Sequence, residues 1–194
     1  MEKNQKKGFT LIELLVVIAI LAVLATAVVI ILNPAQLVRQ GRDSTRVSDL
    51  AALHSAIALY LSDVVLESAD LGTCGGARCT ANDGNASPFN SGGSNTTCTA
   101  STSTDVTGSG WVDINFGSIS AGSPLSKLPI DPVNSDTYYY AYACNDTAKT
   151  FEIDANMEST KYSTDGGGDV ESNNKDGGDT STWYEIGNDP GLDL

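Results

Sequence analysis

From Leu14 to Leu32 the chain runs nineteen residues without a charge. At ~1.5 Å rise per residue such a helix reaches about 29 Å, the thickness of a bilayer's hydrocarbon core. Asn33-Pro34 follows at once. Pro34 has no N–H for the carbonyl four residues back, so the helix kinks or restarts there, with Asn33 placed to cap the restart and Pro34 in its first turn. Residues 35–66 then read as an amphipathic helix: Val47, Leu50, His54, Ile57, Leu61 and Val64 recur at spacings of three and four, and Leu53 and Tyr60 widen the stripe. Arg39, Arg42, Asp43, Arg46 and Asp49 fall off the stripe at ion-pairing intervals and read as a solvated face.

Strand patterning begins only after residue 110. Residues 111–116, Trp-Val-Asp-Ile-Asn-Phe, alternate apolar and polar. Pro124, Pro129 and Pro132 forbid a central strand and make 124–132 an extended connection. The clearest hairpin joins the aromatic run 137–143 to 150–155 through Asn145-Asp146-Thr147, which is turn chemistry. Phe151, Ile153 and Ala155 share one face and should meet the helix stripe, leaving Glu152 and Asp154 on the other. Residues 182–187 offer a last strand. The pattern therefore predicts an α+β fold: a long N-terminal helix, apolar in its first half and amphipathic in its second, packed on a small antiparallel sheet of three to four strands.

Composition changes this picture in two places. The net charge of −13 is uneven: Lys3, Lys6 and Lys7 against Glu2 leave residues 1–8 at +2 and the remainder at −15. By the positive-inside rule the lysines hold the N-terminus in the cytoplasm, with the acidic bulk outside. That balance excludes an ordinary nucleic-acid surface, which needs clustered Lys and Arg. Cys74, Cys79, Cys98 and Cys144 all follow the apolar segment, and an even count in an exported domain predicts two disulfides. Cys74–Cys79 with Cys98–Cys144 is one pairing, and the other two connectivities stay open. Zinc is disfavoured, because the close pair is separated by four residues and the single His54 lies elsewhere.

Residues 80–110 are crowded with Ser, Thr, Asn and Gly and read as a loop. Asn85, Asn95 and Asn145 begin glycosylation-type triplets. The acidic, glycine-rich stretch 165–179 offers oxygen ligands on a loop, a calcium candidate that lacks the EF-hand spacing. No nucleophile elbow, phosphate-binding glycine loop or His/Cys metal cluster points to an enzyme, so no catalytic residue is assigned and no cofactor is expected apart from that calcium.

At its start the chain resembles the type IV pilin superfamily, which includes pilins, competence pilins and the pseudopilins of type II secretion. The matching residues run Lys6-Lys7-Gly8-Phe9-Thr10-Leu11-Ile12-Glu13 and on through the apolar segment to Leu21. The resemblance implies that a prepilin peptidase cuts after Gly8 and N-methylates Phe9, leaving the apolar helix whole. It implies four regions: a leader 1–8, a transmembrane and assembly helix 9–33, its amphipathic continuation 34–70 and a pilin-like head 71–194. It further implies that Glu13 pairs with the N-terminus of an adjacent subunit, which makes the partners further copies of the chain in a helical filament, the peptidase, and an assembly platform protein with its ATPase. The segment Leu128-Pro129-Ile130-Asp131-Pro132 and Tyr138-Tyr139-Tyr140 also looks like the approach to the sheet in major pseudopilins, although Val133-Asn134 stands where those commonly carry Trp-Gly. Two functions follow as expectations, a pilus subunit for adhesion, motility or DNA uptake, and a secretion pseudopilin; a membrane-anchored extracytoplasmic enzyme is the remote third.

Overall fold

A computed structural model describes residues 8–65, 70–81, 87–89 and 97–194. It divides into two units, Met1–Val38 and Arg39–Leu194. Helix α1 (Leu11–Leu32) belongs to the first, and α2 (Pro34–Asp63) begins in it. Between them Asn33 adopts the left-handed conformation (φ 39°). Its carbonyl accepts from Gln36 N–H at 2.9 Å, so α2 restarts with Pro34 in a position where no backbone donor is needed. Helix α1 has the length and apolarity to cross a membrane. Its one hydroxyl-bearing residue, Thr26, donates to the Ala22 carbonyl at 2.8 Å and so carries no unmet donor into an apolar medium.

The second unit stacks α2 on one face of a five-stranded sheet: β1 (Ala77–Cys79), β2 (Cys98–Ala100), β3 (Tyr140–Asn145), β4 (Thr150–Ala155) and β5 (Tyr184–Gly187), in the order β2-β1-β3-β4-β5. The β3–β4 hairpin pairs Tyr142 with Ile153 and closes with Lys149 in the left-handed region (φ 57°). Period-two alternation then sends Tyr140, Tyr142, Cys144, Phe151, Ile153 and Ala155 into one core with Leu50, Leu53, Ile57 and Tyr60 of α2. Each fully buried Leu, Ile or Phe contributes about 1.5–3 kcal/mol. His54 is half-buried against the Phe151 ring, with centroids 5.5 Å apart.

Four expectations need correction. The sheet has five strands rather than three to four, and β1–β2 is a parallel pair. Residues 111–116 form no strand: Trp111, Val112, Ile114 and Phe116 are buried on an irregular path ending in a 3-10 turn at Phe116–Ser118. Strand β2 interrupts the 80–110 loop. The inner line of α2 runs Asp43, Arg46, Leu50, Leu53, Ile57 and Tyr60, while Val47, His54 and Leu61 flank it. A hydropathy pattern cannot place Asp43 and Arg46 inward, yet both are 0 % exposed.

The disulfides also differ from the pairing named first. Cys74 joins Cys144 and Cys79 joins Cys98. Cys144 faces the α2 core, whereas Cys79 and Cys98 sit in a second cluster with Ala77, Phe89, Tyr139, Ala141 and Ala143. Strands β1 and β2 are the reason. The bond runs diagonally from the last residue of β1 to the first of β2 on the face away from α2, and Cys144 is left to reach Cys74.

Candidate functional site

The residues singled out at the N-terminus form a local structure. Thr10 is the N-cap of α1; its hydroxyl oxygen accepts from Glu13 N–H at 3.3 Å. The Glu13 carboxylate accepts in return from Thr10 N–H at 2.8 Å and from the Thr10 hydroxyl at 2.7 Å, completing a capping box. Behind it α1 is apolar on every side, and none of its residues is buried within the chain. Phe9 is 87 % exposed. A Cβ at Gly8 would meet nothing within 4 Å, so the fold of the chain places no demand for glycine there. Residues 1–7, which carry Lys3, Lys6 and Lys7, lie outside the described residues.

Two clusters of charge in the head were not legible as sites. In the first, the Arg46 guanidinium holds Asp131 with two nitrogens, at 2.6 and 2.9 Å, and reaches Asp43 at 2.7 Å and Glu158 at 2.8 Å. Arg42 holds Glu158 from the other side, and its hydrogen bond keeps the Glu158 carboxyl below its usual range. Asp43 also accepts from the Glu158 and Ser159 N–H groups, and Asp131 from those of Val133 and Asn134. This network fastens α2 to two distant loops. The Asp131 of the pseudopilin-like segment is thus a buried partner of the helix.

The second cluster lies on the opposite sheet face, where Glu152, Asp154 and Glu185 are 1 %, 0 % and 2 % exposed. Period alone placed Glu152 and Asp154 on the face away from α2 and said nothing of its cover. Burial drives Glu152 up to about 7 and Glu185 up to about 8. Burial, then Glu152 and Glu185, push Asp154 well up as well. The only sequence signal was two acids on a strand flanked on both sides by others.

The remaining sites are structural. Asn145 accepts from Thr147 and Ala148 N–H and shapes the hairpin turn, while Asn85 and Asn95 lie outside the described residues. The tyrosines of 138–142 pack inward: Tyr140 donates to Asp49 at 2.8 Å, Tyr142 to the Leu71 carbonyl at 2.8 Å, and Tyr139 meets the edge of Trp183. In the 165–179 stretch, Asp169 accepts from the N–H groups of Asp165, Glu171 and Ser172 and from the Ser172 hydroxyl, so its oxygens hold the loop together.

Residues 3–29 match the family model described as the prokaryotic N-terminal methylation motif. With the long apolar helix that carries it, the motif is of the kind that prepilins of the type IV pilin and pseudopilin superfamily bear at their start. The match ends inside α1 and does not extend to the head. No curated protein and no solved structure matches the chain.

Proposed function

We propose that the chain is the structural subunit of a type IV pilus, cut by prepilin peptidase after Gly8, methylated at Phe9 and assembled through α1 into a helical filament. The observation that carries this reading is α1 itself: an apolar helix with no cover from its own chain needs lipid before assembly and like helices after it. Glu13 supplies the register. A carboxylate beside a hydrocarbon segment is costly alone, and the amine freed at a neighbour's Phe9 offsets that cost in the packed bundle. Glycine at position 8, which the fold leaves unconstrained, suits a peptidase cleft. The acidic head forms the outer surface, facing away from the cytoplasm, and the partners are further copies, the peptidase, and a platform protein with its ATPase.

A secretion pseudopilin is the second reading, favoured by the segment Leu128-Pro129-Ile130-Asp131-Pro132. Mass spectrometry of sheared surface filaments separates the two: the pilus reading requires this chain in the filament, starting at methylated Phe9. Glu13→Ala should leave the leader cleaved and the protein in the membrane but abolish filaments. Thr10→Ala, which removes the cap and retains the carboxylate, should keep them. Normal filament yield in Glu13→Ala sinks the proposed role.

A further inference from the structure

Three acids converge on the sheet face turned away from α2. Glu152 and Asp154 are two residues apart on β4 and share a face, and Asp154 stands opposite Glu185 in the β4–β5 ladder. One carboxylate oxygen from each lies within 4.8 Å of the others. Two of the three have a backbone anchor: Leu194 N–H donates to Glu152 at 3.1 Å and Thr180 N–H to Glu185 at 3.0 Å. Asp154 has none. It is 0 % exposed, and among the described residues neither of its carboxylate oxygens accepts from an N–H or a hydroxyl, the Glu152 carboxyl being its side-chain contact. A buried carboxylate with both acceptors unmet is a strong departure from the rule that buried polar groups are paired.

We propose that Glu152, Asp154 and Glu185 form a calcium-binding site on the β4–β5 face of the head. Calcium binds oxygen at about 2.3–2.6 Å, so two such bonds end to end span about 4.8 Å, and one ion can reach all three carboxylates. Up to six oxygens come from the three side chains. Water supplies the rest from the adjoining cavity of about 390 Å³, which Glu185 lines together with Asp176, Asp189 and Lys175. The cover is tight: a Cβ at Gly178 would fall 1.9 Å from a Glu185 oxygen, so a side chain there would have to displace that carboxylate. The 165–179 stretch lends this site Asp176 on the cavity wall and Gly178 in the cover, but none of the three ligands, and its Asp169 oxygens are already taken by that loop's own donors.

The test uses the full chain in detergent, stripped with chelator and returned to calcium chloride. At calcium a hundredfold above its dissociation constant the melting temperature should rise by roughly 5–11 °C, and native mass spectrometry should count one calcium per chain. Asp154→Asn should remove both, and Asp169→Asn should remove neither. The magnesium salt alone should give a smaller rise, because magnesium demands a tighter octahedron. Equal melting temperatures in calcium and chelator, with no bound ion in the wild-type chain, overturn the proposal and leave the three carboxyls sharing protons. Loss of calcium in Asp169→Asn but not in Asp154→Asn also overturns it, placing the ion in the loop. Should Asp154→Asn fail to fold, Glu185→Gln takes its place in the count.

Discussion

Replacing Arg46 by methionine removes the one cation among the described residues that touches Asp43, Asp131 and Glu158 together, while keeping most of the side-chain volume. Arg46, Asp43 and Asp131 have no side-chain exposure, so the carboxylates left behind stay in a water-poor setting. Breaking a buried pair by deleting one partner costs about 3–5 kcal/mol, against a total stability of roughly 5–15 kcal/mol for a domain. The two-pronged hold on Asp131 places the change in the upper part of that range, offset in part because Arg42 still neutralises Glu158. For a domain of this size the loss lowers the melting temperature by roughly 6–20 °C. The assay is urea unfolding of the detergent-solubilised chain followed by tryptophan emission. Trp111 is fully buried and donates to the Pro129 carbonyl, two residues before Asp131, so it reports on the segment that Arg46 holds. Arg46→Lys, which keeps the charge and loses the fork, should fall between methionine and wild type. If Arg46→Met shifts stability by less than about 1 kcal/mol, the network behaves as a solvated surface pair and the reasoning fails.

Two further predictions follow from the head. Non-reducing peptide mapping should recover Cys74 with Cys144 and Cys79 with Cys98. In the loop-entropy picture the paired Cys→Ser changes cost roughly 4.4 and 3.2 kcal/mol, the larger for the 70-residue separation and the smaller for the 19-residue one; recovery of a Cys74–Cys79 peptide would overturn the pairing. Glu171 gives a pH signature: burial raises its carboxyl to about 7 against the hydrogen bonds from Met157 and Thr164 N–H. A raised carboxyl binds its proton more tightly in the folded chain. Its contribution is therefore full below about pH 4.3, the unfolded value, and is lost as pH rises through about 7. Glu171→Gln should melt less steeply with pH than wild type between pH 5 and 7, and parallel curves would remove Glu171 from the explanation.

What could be read from the residues was whatever depends on near neighbours. The membrane helix needs only composition and length, and Asn33-Pro34 declares its break locally. The β3–β4 hairpin was visible because Phe151, Ile153 and Ala155 alternate around a turn with its own chemistry. Strands β1 and β2 were hidden, being three residues each and paired through a disulfide rather than through apolar side chains. Arg46 was misplaced because its partner Asp131 lies 85 positions away. Glu152 and Asp154 were placed on the face away from α2, and strand period does not tell whether that face is covered. Here Tyr139, Phe89 and Trp183 form a second small core on that face, and nothing near Glu152 in sequence announces them.

The two disulfides are nested: the Cys79–Cys98 bond closes a ring inside the larger ring closed by Cys74–Cys144. A single peptide-bond cut between residues 79 and 98 therefore leaves the fragments joined twice over, and a cut elsewhere between 74 and 144 leaves them joined once. Each bond lies on a different side of the sheet, so a reductant that opens one still leaves the other as a fastening. On the pilus surface proposed above, this would be damage tolerance. A head nicked between residues 74 and 144 stays one covalent piece with its helix.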